Sequence, residues 1–141
     1  MAHLIVLFHK IEKNLSDIKE FINIISEEND KKLIDMFIGS SLGKDAISFE
    51  KMPIGETVPI IANCDLYVGN DTGWLHLSCA LGLKCLALFM DSPVLAYGKY
   101  SKNIISIIPM GETEETTTHN TNGKNRINVD QVFQKIKEIL N

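Results

Sequence analysis

The chain has 141 residues, a formal net charge of −4 and 45% hydrophobic residues, which is enough for one domain with a real core. Its acidic balance and its lack of a dense Lys/Arg face exclude nucleic acid as the expected partner, because nucleic-acid binding normally uses a clustered basic surface. No apolar run approaches the roughly 20 residues that span a bilayer, and the N-terminus lacks the basic and apolar regions of a signal peptide, so we expect a cytoplasmic protein without a transmembrane segment.

The residue types that usually bind metals are not arranged as a metal site. Cys64, Cys79 and Cys85 lie in apolar contexts and lack the paired short spacing of a zinc site. His3 and His9 share no metal-ligand spacing with other residues. We therefore predict no metal site and three buried free thiols.

In the N-terminal third of the chain, the sequence predicts three strands, with one helix between the first and the second. Residues 3–8 form a continuous apolar run, which is typical of a strand buried in a parallel sheet. Ser16 is a suitable cap for an amphipathic helix that ends before residues 27–30. Residues 33–38 predict a second strand, although this segment could equally prolong a helix, and residues 46–49 predict a short third strand.

The middle of the chain predicts a helix followed by a βαβ unit. The helix covers residues 56–63 after a break at residues 53–55, with Pro59 in its first turn, where a missing N–H does little harm. A strand at residues 65–69, a helix from Thr72 that ends at a C-cap glycine, and a strand at residues 84–90 then form the βαβ unit.

The C-terminal part predicts one more strand, a polar loop and a closing helix. The strand covers residues 104–108, and the loop at residues 111–123 is rich in turn formers. The helix begins near Val129 and has Asn128 or Asp130 near its cap. Its predicted buried residues are Val132, Phe133, Ile136, Ile139 and Leu140. The predicted fold is therefore α/β, with a mostly parallel sheet in a single domain over residues 1–141.

The segment at residues 65–82 predicts a ligand site. Asn70, Asp71 and Thr72 are residue types that cap a helix, and Gly73 lets a ligand approach the backbone closely. The free N–H groups and the positive dipole end of such a helix suit a pyrophosphate, and ligands of parallel sheets bind outside the carboxyl ends of the strands. On the residues alone, a plain helix cap without a ligand is the more frequent use of this pattern.

The ordered combination of Asp71, Thr72, Gly73 and His76 with a small-residue helix and a second buried strand resembles a known family. It is similar to the nucleotide-sugar-binding half of the family 9 glycosyltransferases, the ADP-heptose:lipopolysaccharide heptosyltransferases. The resemblance extends loosely over residues 56–100 and is weak before residue 45. It implies a Rossmann-like donor-binding domain equivalent to the C-terminal half of a GT-B glycosyltransferase, with the N-terminal acceptor domain absent from these 141 residues.

The resemblance also implies roles for the signature residues. The backbone N–H groups around Thr72 and Gly73 would hold the diphosphate, and the Thr72 hydroxyl would add a hydrogen bond. Asp71 would face the sugar, since a carboxylate beside a phosphate would repel it. His76, one helical turn after Thr72, would orient Asp71 or contact the phosphosugar.

Three residues outside the signature are also candidates. Ser92 follows a strand where family members commonly carry glycine, proline and threonine, and it is predicted to be a hydroxyl donor to the ligand. Glu56 opens a helix near the region where the family binds its nucleoside, although a first-turn acid without a ligand is an equal alternative. Trp74 is either a core residue or a cleft wall, while His119 and the threonines around it are predicted to lie on the surface.

The implied function is transfer of heptose or a related sugar from a nucleotide-diphospho-sugar to lipopolysaccharide or another surface saccharide. The first candidate donor is ADP-heptose. The family pattern is bacterial, proceeds by inversion, and implies no cofactor, no obligatory metal and a location that can be peripheral to the inner membrane. No residue can be assigned as the catalytic base by motif, so a separate acceptor domain would supply it. The alternatives are a non-catalytic nucleotide-sugar-binding module, a truncated remnant, or another Rossmann-like enzyme such as an epimerase, against which the signature order argues.

Overall fold

The computed structural model describes residues 6–8, 49 and 52–140. The helix predicted before residue 30 and the strand predicted at residues 33–38 lie outside the described residues, as does the strand predicted at residues 46–49 except for Phe49. The observed strands are β1 (Val6–Phe8), β2 (Leu66–Asn70), β3 (Lys84–Leu88) and β4 (Ile104–Ile107), and the observed helices are α1 (Ile54–Ile61), α2 (Gly73–Ala80), α3 (Val94–Tyr97) and α4 (Val129–Leu140), with a 3₁₀ turn at Lys124–Arg126.

The four strands form one sheet in the order β1-β2-β3-β4. β2, β3 and β4 are parallel, which confirms the predicted α/β class and its mostly parallel sheet. β1 pairs antiparallel with β2, with Val6 opposite Val68, so the prediction of a parallel first strand is wrong. A short apolar run indicates that a strand is buried, but strand direction depends on how the chain returns to the sheet.

Both faces of β2 and β3 are buried, which explains their nearly continuous apolar sequence. In β2, Leu66 and Val68 point to the face covered by α4, and Tyr67 points to the opposite face, against α1, α2 and α3. The described helices include none that is long and apolar enough to cross a membrane. The observed architecture is thus a sheet between helical layers, as in Rossmann-like domains.

Helix α1 begins two residues earlier than the sequence predicts. Pro53 is its N-cap, with an extended backbone at ψ 144°, so Pro59 lies inside the helix rather than in its first turn. The N–H that Pro59 lacks would have bonded the carbonyl of Gly55, which is exposed to water. The buried hydroxyl of Thr57 donates to the Pro53 carbonyl at 3.1 Å and fixes the first turn.

The ends of α2 and α4 follow the predicted capping chemistry. Gly82 has a φ of +92°, its N–H donates to the Cys79 carbonyl at 3.0 Å, and the Leu83 N–H donates to the Ser78 carbonyl at 3.1 Å. This pair of bonds is a Schellman C-cap, in which glycine is favoured because other residues are strained at that φ. At α4, Asn128 Oδ1 accepts the N–H of the third helical residue at 2.8 Å.

The buried side of α4 is narrower than predicted. Val132 and Ile136 are buried against the sheet, and Phe133 and Ile139 are partly buried. Leu140 is 38% exposed, so its predicted burial is wrong. Leu140 lies only about 40° around the helix from the buried Ile136, so its exposure comes from its position as the last residue of α4 rather than from the side of the helix on which it lies.

The polar loop at residues 111–123 contains no regular secondary structure, as predicted, but one of its threonines belongs to the interior. Thr117 is only 3% exposed, and its hydroxyl accepts the Val94 N–H at 3.0 Å while donating to the Glu114 carbonyl at 2.9 Å. The prediction that these threonines lie on the surface is therefore wrong for Thr117. Its hydroxyl satisfies a backbone N–H at the start of α3, which fixes the loop to the domain.

Thr117→Val is expected to lower the free energy of unfolding by about 1–3 kcal/mol, because it leaves the buried Val94 N–H without its acceptor while keeping the side-chain volume. Urea denaturation followed by circular dichroism measures this loss. Thr118→Val is the control, since Thr118 is exposed and its replacement should change stability by less than about 0.5 kcal/mol. Equal stabilities of the two variants would contradict the anchoring role.

Candidate functional site

The turn between β2 and α2 places Asp71 and Thr72 at the carboxyl end of the sheet. The Asp71 N–H reaches the Leu88 carbonyl of β3 at 3.4 Å, which extends the parallel pairing by one residue. Thr72 is the N-cap of α2, with an extended backbone, and its carbonyl accepts the Leu75 N–H at 3.0 Å. Its side chain makes no capping hydrogen bond. Within residues 52–140, nothing accepts a hydrogen bond from the N–H groups of Gly73 and Trp74.

An open depression of about 490 Å³ lies at this helix start, and its lining residues are Ile54, Asp71, Thr72, Gly73, Trp74 and Leu77. A Cβ added at Gly73 would meet nothing within 4 Å, so the backbone there is open to a ligand. Trp74 is partly buried against the core and also forms one wall, which combines the two alternatives that its sequence position allows.

The Asp71 carboxylate is held in a nearly buried position. Its side chain is only 10% exposed, and Oδ1 lies 3.3 Å from His76 Nε2, which is ion-pair distance. In the described part of the chain, this buried oxygen has no hydrogen bond of good geometry. Because a buried carboxylate oxygen without a donor is costly, Asp71 is well placed to accept a hydrogen bond from a ligand.

Two hydroxyl groups lie close behind the turn. The Tyr67 phenol donates to the Asn70 carbonyl at 2.8 Å, and burial raises the pKa of Tyr67, so this phenol stays protonated. The nearby Thr72 hydroxyl opposes that rise, but Thr72 Oγ1 is buried and makes no well-formed hydrogen bond to the described residues. Thr72 lines the depression, but its hydroxyl oxygen is buried rather than open to it.

The model of glycosyltransferase family 9 (heptosyltransferase) matches residues 26–126, which is more than half of the chain. The chain belongs to glycosyltransferase family 9. Searches of curated proteins and of solved structures each found no match. The matched region includes the whole β2–α2–β3 unit and begins well before residue 45, so the family likeness extends further toward the N-terminus than the sequence motifs indicate.

Only some of the predicted donor-binding residues of this family 9 glycosyltransferase line the depression. Asp71, Thr72 and Gly73 line it, and His76 lies against Asp71 on the same helix start. Glu56 and Ser92 do not line it. Their roles in binding stay predictions, as do those of the signature residues.

The two outlying residues have clear places in the fold. Glu56 lies exposed in the first turn of α1, two residues after Ile54 of the depression wall. Ser92 is half-buried in the turn between β3 and α3. Because β2 and β3 are parallel neighbours, Ser92 lies at the same edge of the sheet as Asp71.

Sequence reasoning missed the aromatic residues around His76. Tyr100, 24 positions along the chain, has its hydroxyl 2.6 Å from His76 Nδ1, and the two ring centroids are 5.6 Å apart. Tyr97 meets the same imidazole edge-on at 6.5 Å. A contact over such a separation leaves no periodic signal, and the only available indication was that the family resemblance extends to this segment.

Proposed function

We propose that this chain is the donor-binding domain of a glycosyltransferase that transfers heptose or a related sugar from a nucleotide-diphospho-sugar to lipopolysaccharide or another surface saccharide. ADP-heptose is the first candidate donor. The observation that carries the proposal is the uncapped start of α2 beside a nearly buried carboxylate, on the residues that match the family signature.

The diphosphate is assigned to the start of α2. The N–H groups of Gly73 and Trp74 have no acceptor among residues 52–140, and the helix dipole adds positive potential. None of the described residues that line the depression is Lys or Arg. Backbone groups would therefore supply the anion binding, and they would also stabilise the negative charge that develops on the leaving nucleoside diphosphate as its bond to the sugar breaks.

The sugar is assigned to the Asp71 side of the depression. A carboxylate repels a diphosphate but accepts hydrogen bonds from sugar hydroxyls, and Asp71 lines the depression. Inverting transfer is one displacement, in which the acceptor hydroxyl attacks the anomeric carbon and loses its proton to a base. Asp71 is reserved for the donor in this scheme, so the base would come from the acceptor domain.

Calorimetric titration of the purified chain with ADP, ADP-heptose and a UDP-sugar tests the proposal. We expect ADP-heptose to bind more tightly than ADP, and the UDP-sugar to bind least. Asp71→Asn should reduce the advantage of ADP-heptose over ADP while leaving ADP binding nearly unchanged. The absence of binding by all three ligands at millimolar concentration would contradict a donor site.

We also expect the purified 141-residue polypeptide to bind ADP-heptose without transferring heptose, because the base assigned to the acceptor domain is missing from the assay. A positioned base is commonly worth about 10²–10⁴-fold in rate. A radiolabelled transfer assay with a lipopolysaccharide acceptor measures this. Robust turnover that Asp71→Asn abolishes would contradict the expectation and assign the base to this domain.

A further inference from the structure

Tyr100 contacts His76, and His76 contacts Asp71 at the candidate site. Tyr100 OH lies 2.6 Å from His76 Nδ1, and His76 Nε2 lies 3.3 Å from Asp71 Oδ1. The imidazole therefore has a hydrogen bond at Nδ1 and a contact at ion-pair distance at Nε2. Of the three residues, only Asp71 lines the depression.

One arrangement of protons serves both contacts of a neutral imidazole. If Tyr100 donates its hydroxyl proton to Nδ1, then the ring proton is on Nε2, the nitrogen that lies 3.3 Å from Asp71 Oδ1. Partial burial, with smaller contributions that include the Cys79 thiol and the Asp71 carboxylate, raises the pKa of Tyr100 to about 12. The phenol therefore keeps its proton at neutral pH and is available as the donor.

The position of Tyr100 separates its role from ligand contact. Its side chain packs beside α2 near Cys79, and it is absent from the lining of the depression, where Trp74 and Leu77 form the wall. Tyr100 is also 58% exposed, so its burial contributes little to the core. Its closest polar contact among the described residues is the imidazole of His76.

We propose that Tyr100 is a positioning residue of the donor site: its phenol fixes the His76 ring, and the ring holds the Asp71 carboxylate in the orientation that receives the donor sugar. This inference rests on the proposed donor-binding function. In this inference Tyr100, which lies outside the family signature, orients Asp71, which belongs to the signature. When a neighbouring hydrogen bond already holds a binding side chain in place, ligand binding has to order that side chain less, and the entropy cost of binding is lower.

Nitrogen-15 NMR of the full chain tests the contact without any ligand. The Nδ1 resonance of His76, assigned with a His76→Gln variant, reports directly whether that nitrogen accepts a hydrogen bond. Tyr100→Phe should move this resonance toward the value of a nitrogen without a donor. Tyr97→Phe is the matched control, because Tyr97 contacts the same ring by its edge and should leave the resonance in place.

Calorimetry with ADP and ADP-heptose tests the consequence. We expect Tyr100→Phe to weaken ADP-heptose binding by about five- to tenfold, the size of one lost hydrogen bond, and to leave ADP binding and the melting temperature unchanged. Tyr97→Phe should alter neither affinity.

The outcomes separate the two proposals. An unmoved His76 resonance in Tyr100→Phe, or an unchanged affinity for ADP-heptose, overturns the positioning role while wild-type binding still supports a donor site. A wild-type chain that binds neither ADP nor ADP-heptose overturns the proposed function and the positioning role with it.

Discussion

Gly73→Val is expected to lower the affinity for ADP and for ADP-heptose by about tenfold or more, which corresponds to about 1.4 kcal/mol. An added Cβ at this position meets nothing within 4 Å, so the valine fits the fold and its methyl groups project into the depression. They would stand beside the first N–H groups of α2 and keep the diphosphate out of hydrogen-bond distance.

Thermal unfolding should be nearly unchanged in Gly73→Val, because valine costs little at the first position of a helix. Gly55→Val is the matched control, since Gly55 also has open space around an added Cβ and does not line the depression. Thr72→Ala should weaken binding less than Gly73→Val, because it removes one hydroxyl and blocks nothing. An unchanged affinity in Gly73→Val, measured by calorimetry, would show that the phosphate does not bind there.

Gly123→Ala is expected to lower the free energy of unfolding by about 2–3 kcal/mol through overpacking. A Cβ at Gly123 would collide with the Pro109 ring and would lie 2.6 Å from the Met90 carbonyl oxygen. The Gly123 N–H donates to that same carbonyl at 2.8 Å, so the loop cannot move away without losing a hydrogen bond. The φ of Gly123 is −83°, which any residue can adopt, so the effect is purely steric.

Chemical denaturation of Gly123→Ala beside Gly55→Ala measures this effect. Gly55 lies in an exposed helical turn with open space around it, so its alanine variant should be neutral or more stable by up to about 1 kcal/mol. Surface substitutions usually change the free energy of unfolding by less than about 0.5 kcal/mol. A change no larger than that in Gly123→Ala would show that the segment after β3 and the end of the loop are loosely packed.

The local features of the candidate site could be predicted from the sequence. Short apolar runs, apolar residues at helical spacing and capping residues predicted β2, α2 and β3 to within one or two residues, because each feature depends on neighbours in the chain. The same local chemistry predicted the C-cap at Gly82 and named Asn128 and Asp130 as candidates near the start of α4, of which Asn128 is the N-cap. Proline was a weaker guide: the helix that contains Pro59 begins at Ile54, since an exposed turn tolerates the missing hydrogen bond.

The sequence by itself determined the α/β class, the family, and the placement of Asp71, Thr72 and Gly73 at a strand-to-helix turn. Only the tertiary structure decided the antiparallel direction of β1, the burial of Thr117 against α3, and the contact of Tyr100 with His76. Each of these joins segments more than 20 positions apart. The spacing of residues along the sequence does not indicate such contacts, because they depend on the packing of whole helices and strands rather than on the preferences of neighbouring residues.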